Sequence, residues 1–115
     1  MIRKIAVILF LSLFFACGTS VDKIPDNVLS KDKMKNVLID IHMLEGVINV
    51  SGLSADTANA KYKVMQAELF AKHGVKQVQF DSSMAYYARH LADMNEIYAG
   101  VIDSISVKEA LGKID

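Results

Sequence analysis

Apolar residues recur every three or four positions along most of this chain, which is the spacing of amphipathic α-helices. The first such stretch covers residues 31–50 and follows Ser30, a residue type that caps helix starts well. The second covers residues 55–73 and ends at Gly74, which suits the left-handed conformation that follows many helices. The third covers residues 82–106. The pattern therefore predicts three helices.

Three amphipathic helices with short connections predict an all-α fold, a small three-helix antiparallel bundle. Residues 75–80 (VKQVQF) alternate like a strand but have no partner strand, so we interpret them as a loop or a helical turn. The third helix is long, and a break near residues 91–93 is the alternative. We expect residues 30–106 to form the bundle domain and residues 107–115 to form a C-terminal tail that frays from the third helix.

The first 17 residues are unlike the rest of the chain. Fourteen of them are apolar, and the only charged residues are Arg3 and Lys4. A basic start followed by an apolar run of about a dozen residues is typical of a secretory signal. The run is shorter than the ~20 residues of a transmembrane helix. We therefore expect residues 1–16 to be a cleaved signal peptide.

Cys17 follows Ala16 at the end of this apolar run and is the single cysteine of the chain. The arrangement resembles a bacterial lipobox, in which the thiol receives diacylglycerol and the signal is cut just before the cysteine. Two or more acyl chains give stable membrane anchoring. The interpretation is a lipidated Cys17 followed by a short tether over residues 17–29. Phe14 departs from the aliphatic preference of the motif, and an ordinary secretory signal cut near Ala16 is the alternative.

Composition and charge narrow the classes of function. The whole chain has 13 basic and 13 acidic residues, and the part after the signal keeps 13 acidic and 11 basic residues, a formal charge of −2. This balance argues against nucleic-acid binding through a global basic field. One cysteine allows no internal disulfide. The sequence also contains no glycine-rich phosphate loop, so we expect no nucleic acid and no cofactor.

The segment DIHMLE, residues 40–45, is the first candidate site. His42 and Glu45 are three residues apart, so they share a helix face and could jointly touch a metal with a further ligand. His73 and His90 lie near the ends of other predicted helices, and Asp40 is adjacent on the same helix. The competing interpretation, which we favour, places His42 at the edge of the apolar stripe and Glu45 beside a lysine. We therefore assign no metal.

The segment FDSSMAYYARH, residues 80–90, is the second candidate. Its two serines, aspartate and histidine suggest a hydrolase, but no strand–turn–helix elbow exposes a nucleophile. We interpret Asp81 or Ser82 as the cap of the third helix and expect no catalytic residues. Tyr86, Arg89 and His90 could instead form a polar recognition patch beside Tyr87, but for this segment we favour a capping motif followed by an aromatic core helix.

Methionines form the third candidate feature. Five of the six lie in or beside the apolar stripes, at positions 34, 43, 65, 84 and 94. Methionine-rich surfaces adapt to varied partners, but methionine is also a common filler of small helical cores. We favour core positions over a binding groove.

These motifs together resemble a known family. The order is a signal ending in Cys17, then IPD (24–26), DIHMLE (40–45), KHGV (72–75), FDSSMAYY (80–87) and IY (97–98). It is similar to small lipoproteins of Bacteroidota that carry domain of unknown function 4296, over residues 24–105. The resemblance implies a helical, membrane-anchored envelope protein and no assigned activity. Leu91 stands where we expect proline, which weakens the case for a helix break there.

The sequence therefore predicts a non-enzymatic, lipid-anchored helical module of the cell envelope that binds another envelope protein or polymer. The candidate contacts are Asp40, His42, Glu45, His73, Tyr86, Arg89 and His90. The alternative is a periplasmic metal- or small-ligand-binding lipoprotein. Residues 18–22 (GTSVD) lack the acidic cluster of many surface-exported lipoproteins, so we expect the outer membrane, facing the periplasm.

Overall fold

A computed structural model describes residues 23–112, so the predicted signal peptide, Cys17 and residues 113–115 lie outside the described part of the chain. The described residues contain four helices and no strand, which confirms the all-α class but not the predicted helix count. The helices are α1 (Lys31–Asn49), α2 (Ala55–His73), α3 (Gln77–Ala88) and α4 (Leu91–Gly112). None of them is long and apolar enough to cross a membrane.

The first two helices begin and end where local signals place them. The Ser30 hydroxyl accepts a hydrogen bond from the backbone N–H of Lys33, and Ser54 does the same for Thr57. Each bond satisfies one N–H that the first turn of a helix leaves unpaired. Gly74 ends α2 with φ of 66°, the left-handed region that glycine enters without steric cost.

The prediction of one long third helix is wrong, and the alternative of a broken helix is closer, although the break lies at residues 89–90 and not at 91–93. Residues 77–88 form α3, which starts inside the predicted connector, so Asp81 and Ser82 lie within a helix and cap nothing. A turn at Arg89 and His90 then separates α3 from α4, despite the leucine at position 91. The His90 ring donates to the carbonyl of Tyr86 over 2.7 Å, and the carbonyl of His90 accepts the N–H of Met94 in α4.

Helix length explains why the break is needed. A continuous helix over residues 77–106 would be about 45 Å long, whereas α1 is about 28 Å long at 1.5 Å per residue. The turn folds α3 back against α4 instead. Fully buried Tyr87 of α3 and Ile97 of α4 thereby join the same core. Beyond residue 106, α4 continues as helix through Gly112, into the stretch predicted as a tail.

α1 is the central helix and contacts both α2 and α4. Three contacts between α1 and α4 each join residues 65 apart: Lys31 with Glu96, Lys35 with Gly100, and Met43 with Lys108. A constant offset means that the two helices run parallel, as the first and last helices of an up-down-up arrangement do. α2 returns the chain to the start of α1, and α3 stays at that end, so α4 begins there and runs in the same direction as α1.

Burial divides the domain into two ends. The packed end consists of the beginning of α1, the end of α2, α3 and the first half of α4. It holds nearly all of the buried side chains, among them Met34, Val37, Phe70, Tyr87 and Val101. The open end consists of residues 45–50, 55–66 and 105–112, and none of these residues is buried. The core therefore secures one end of the helices and leaves the other end loosely packed.

Candidate binding groove

The predicted candidate residues form three separate pairs and no shared site. The first pair joins α1 to α2: the His73 ring nitrogen Nε2 lies 2.7 Å from an Asp40 carboxylate oxygen. Lys72 approaches the same oxygen at 3.9 Å. The His73 side chain is 15% exposed and that of Asp40 is 27% exposed. A partly shielded contact of this kind holds the two helices together. We therefore interpret the pair as structural and not as a reactive group.

The second pair lies along α1. The His42 ring nitrogen Nδ1 is 3.1 Å from the Glu45 carboxylate, and the ring centroid lies 6.1 Å from that of Tyr98 on α4. Glu45 also faces Tyr62 of α2, whose hydroxyl has a raised pKa, first because of burial and second because of the negative charge of Glu45. Glu45 thus pairs with His42 and Tyr62, which differs from the lysine pairing that we expected.

The third pair contradicts the predicted recognition patch. The rings of Tyr86 and His90 stack with centroids 4.0 Å apart, and Tyr86 is only 8% exposed. Because Tyr86 is buried, it can present little surface to a partner. Arg89 is exposed at the end of α3. These residues build the corner between α3 and α4.

The three histidines do not converge on a metal site. His42, His73 and His90 each contact a different partner on a different part of the fold. Within residues 23–112, no three side chains of histidine, cysteine, aspartate or glutamate lie close enough together to hold a metal ion.

Two residues of the FDSSMAYY segment have a structural role that the sequence analysis missed. The Ser83 hydroxyl accepts the backbone N–H of Leu29 over 2.8 Å, and the Tyr87 hydroxyl donates to the carbonyl of Leu29 over 2.7 Å. Ser83 also donates to the carbonyl of Gln79. Burial raises the pKa of Tyr87. The four-residue spacing of Ser83 and Tyr87, which puts both on one helix face, is the signal that could have revealed this contact.

An apolar groove crosses the surface between α2 and α4, with α1 as its floor. It encloses about 420 Å³. The floor residues are Met43, Leu44 and Val47, and the walls carry Met65, Glu68 and Leu69 on α2 and Lys108 on α4. A second depression of about 340 Å³ adjoins it between α1 and α4 and shares Met43, Val47 and Lys108. We call the two together the groove.

The groove exposes apolar side chains that a folded domain normally covers. Met43 is 42% exposed and Val47 is 57% exposed, while Val50 at the end of the same stripe is 84% exposed. These residues are spaced i, i+4 and i+7 on α1, so they form one ridge. Contiguous exposed apolar surface of this kind marks interaction sites. The methionines therefore divide between both interpretations, because Met34 is fully buried whereas Met43 and Met65 line the groove.

Charged and ionisable side chains also line the groove. The first depression has Asp40, Glu68, Lys72 and Lys108, and the second has His42, Lys108 and Glu109, so two of the predicted candidates, Asp40 and His42, lie at its edge. Glu68 on α2 and Lys108 on α4 face the groove from opposite walls. Within the described part of the chain, neither forms an ion pair, and the Lys108 ammonium lies 3.7 Å from the Met43 sulfur, a weak acceptor. Lys72 and Asp40 pair with each other at 3.9 Å, so the apolar floor is flanked by that pair and by Glu68 and Lys108 on opposite walls.

The floor of the groove lies away from the N-terminal segment. Leu29 is held by α3 at the packed end, and α1 begins two residues later. Val47 follows Lys31 by 16 residues, which corresponds to about 24 Å along the helix. The floor of the groove at Val47 thus lies far along α1 from the point where the tether enters the domain, while its wall reaches Leu69 and Lys72 near the end of α2.

Comparison with known proteins finds one family. The family model described as "Domain of unknown function (DUF4296)" matches residues 25–110, which include all four helices except the last two residues of α4. No curated protein matches, and no solved structure matches.

Proposed function

Because the chain belongs to the DUF4296 family, whose description names no activity, we propose its function from its own features: it is a lipid-anchored protein of the bacterial cell envelope whose helical domain is a non-enzymatic interaction module. The observation that carries the proposal is the apolar groove over Met43 and Val47. We place the partner among envelope proteins, since an apolar floor binds apolar protein side chains better than it binds a hydroxyl-rich polymer.

The anchor is supported by the N-terminal sequence. The apolar run of residues 5–16 ends at Cys17, and only five residues separate Cys17 from Lys23, where the described structure begins. From Ile24 onward the chain packs on the core, and Leu29 is fastened to Ser83 and Tyr87. An acylated Cys17 would hold the packed end close to the membrane, with the groove floor at Val47 about 24 Å farther along α1. The periplasmic face of the outer membrane remains the proposed location.

The proposal that the domain is not an enzyme rests on the contacts of the residues that could have served in catalysis. Ser83, a serine of the hydrolase interpretation, is fully buried and hydrogen-bonded to both Leu29 and Gln79. The Asp40–His73 pair joins two helices and has a lysine as its further neighbour. The Asp40–His73 pair borders the groove through Asp40, but no serine, threonine, cysteine or tyrosine is among the described residues that line the groove, so no hydroxyl or thiol nucleophile stands beside the pair there.

Substitution of Cys17 tests the anchor. If Cys17 is the acylated residue, Cys17→Ala abolishes incorporation of a radiolabelled or clickable fatty acid and moves the protein out of the membrane fraction. Cys17→Ser, which keeps the size of the side chain, serves as the control for the thiol chemistry and is expected to behave like Cys17→Ala. Retained fatty-acid labelling in either variant would contradict the assignment.

Site-specific photo-crosslinking tests the groove. A photoreactive amino acid at Val47, introduced into the full chain in cells, is expected to give a discrete crosslinked product. The matched control is Val64, which is 60% exposed on α2 but lines neither part of the groove. A product from both positions, or from neither, would refute the groove as the binding surface.

A further inference from the structure

We propose that the groove is occupied by a second copy of this chain, which packs its own open end against the first in a two-fold dimer. The inference rests on the proposed function of the groove as a protein-binding surface. It adds the identity of the partner.

The open end carries both halves of such a contact. The ridge of Met43, Val47 and Val50 on α1 lies in the groove, and α4 carries a further exposed apolar pair, Val107 and Leu111, which are 58% and 59% exposed and four residues apart. The two depressions of the groove lie beside the α1 ridge. A surface that has ridges next to grooves can pack against its own copy, since helix packing fits the ridges of one partner into the grooves of the other. One contact would then cover the apolar ridges of both copies.

The charges suit a two-fold arrangement. In an isologous interface, residue i of one copy meets residue j of the other, and j meets i. Glu68 and Lys108 stand on opposite walls of the groove with no ion-pair partner among residues 23–112. A two-fold axis through the groove allows Glu68 of each copy to face Lys108 of the other. Two complementary pairs form from one acid and one base.

The geometry disfavours the membrane as the occupant. The tether enters at the packed end, about 24 Å along α1 from Val47. The six residue-to-residue steps from Cys17 to Lys23 span at most about 22 Å even when the chain is fully extended. If Cys17 is acylated, an anchor of that length holds the packed end near the membrane, and the groove floor at Val47 lies farther from the attachment point.

Charge reversal in the full chain tests this proposal. Purified in detergent micelles, the unsubstituted chain is expected to sediment as a dimer. Glu68→Lys alone and Lys108→Glu alone each bring like charges together at both pairs, which should weaken dimerisation about tenfold or more. Lys76→Glu, at an exposed position at the packed end and outside the groove, is the matched control and should leave the dimer intact.

Mixing the two charge-reversed variants isolates the contact between copies. One copy then offers two lysines and the other two glutamates, so a mixed dimer regains both attractive pairs while each copy keeps its internal repulsion. Recovery of dimer on mixing supports the proposal, and absence of recovery overturns it. A chain that is monomeric at all concentrations also overturns it.

The Val47 crosslink separates this inference from the proposed function. Differently tagged copies expressed together are expected to appear in one crosslinked product. A Val47 product that contains only a different protein would overturn the dimer and leave the interaction module standing. No product from Val47 would overturn both.

Discussion

The two ends of this domain are built from the same helices but differ in how they are held. At the packed end, α1, α2, α3 and α4 share a core around Tyr87, Val37 and Phe70. At the open end, the continuations of α1, α2 and α4 have no buried residue between them. The difference indicates that the packed end supplies the stability of the fold, and that the open end is available for a partner. The free energy of local opening should therefore be highest at the packed end and lowest at the open end.

Loss of Tyr87 should have the largest effect on stability. The side chain is fully buried, and its hydroxyl donates to the carbonyl of Leu29. Tyr87→Ala is expected to lower the free energy of unfolding by about 4 kcal/mol, because it leaves a cavity and an unpaired carbonyl. Tyr87→Phe keeps the ring and should cost only about 1–2 kcal/mol. Urea unfolding followed by circular dichroism measures both. Equal losses for the two variants would show that the hydrogen bond, and not the packed ring, dominates.

A valine pair on α1 compares the two ends directly. Val37 is fully buried at the packed end, whereas Val47 is 57% exposed in the groove. Val37→Ala should lower the free energy of unfolding by about 2 kcal/mol, while Val47→Ala should change it by less than about 0.5 kcal/mol. The chemical change and the helix are the same in both variants, so only the surroundings differ. A loss at Val47 as large as that at Val37 would mean that the open end is packed as tightly as the core. These measurements require monomer, and protein concentration must therefore be varied.

The helices could be predicted from sequence where local signals define them. Ser30, Ser54 and Gly74 act within one turn of their own helix, and α2 has the predicted bounds. The turn between α3 and α4 has no such signal, because Leu91 continues the apolar pattern. What separates the helices is the return of α3 onto the core and the bond from His90 to Tyr86. Tertiary packing therefore sets the boundary between α3 and α4, and the spacing of apolar residues in the sequence does not reveal it.

The contacts of the candidate residues also divide into those set by local sequence spacing and those set by tertiary packing. His42 and Glu45 are three residues apart on one helix, and the structure brings them together as the spacing implied. Asp40 and His73 are 33 residues apart, so their contact depends on how α1 and α2 pack. The groove depends on α2 and α4 flanking α1 without closing over Met43 and Val47. The spacing of apolar residues alone makes Val37 and Val47 equivalent members of one stripe, although Val37 lies in the core and Val47 lies on the surface.

Two helical glycines provide the smallest and most local comparison of the ends. Gly46 lies in α1 at the open end, and a Cβ added there meets no atom within 4 Å. Gly46→Ala should therefore stabilise the domain by about 0.5–1 kcal/mol through helix propensity alone. At Gly100 of α4, an added Cβ would lie 2.7 Å from Lys35 Cδ, so the lysine must move from its position between α1 and α4. We expect that displacement to offset part or all of the same gain. Thermal unfolding of the two variants under identical conditions measures the difference. An equal gain in stability at both sites would show that moving the Lys35 side chain at Gly100 costs nothing.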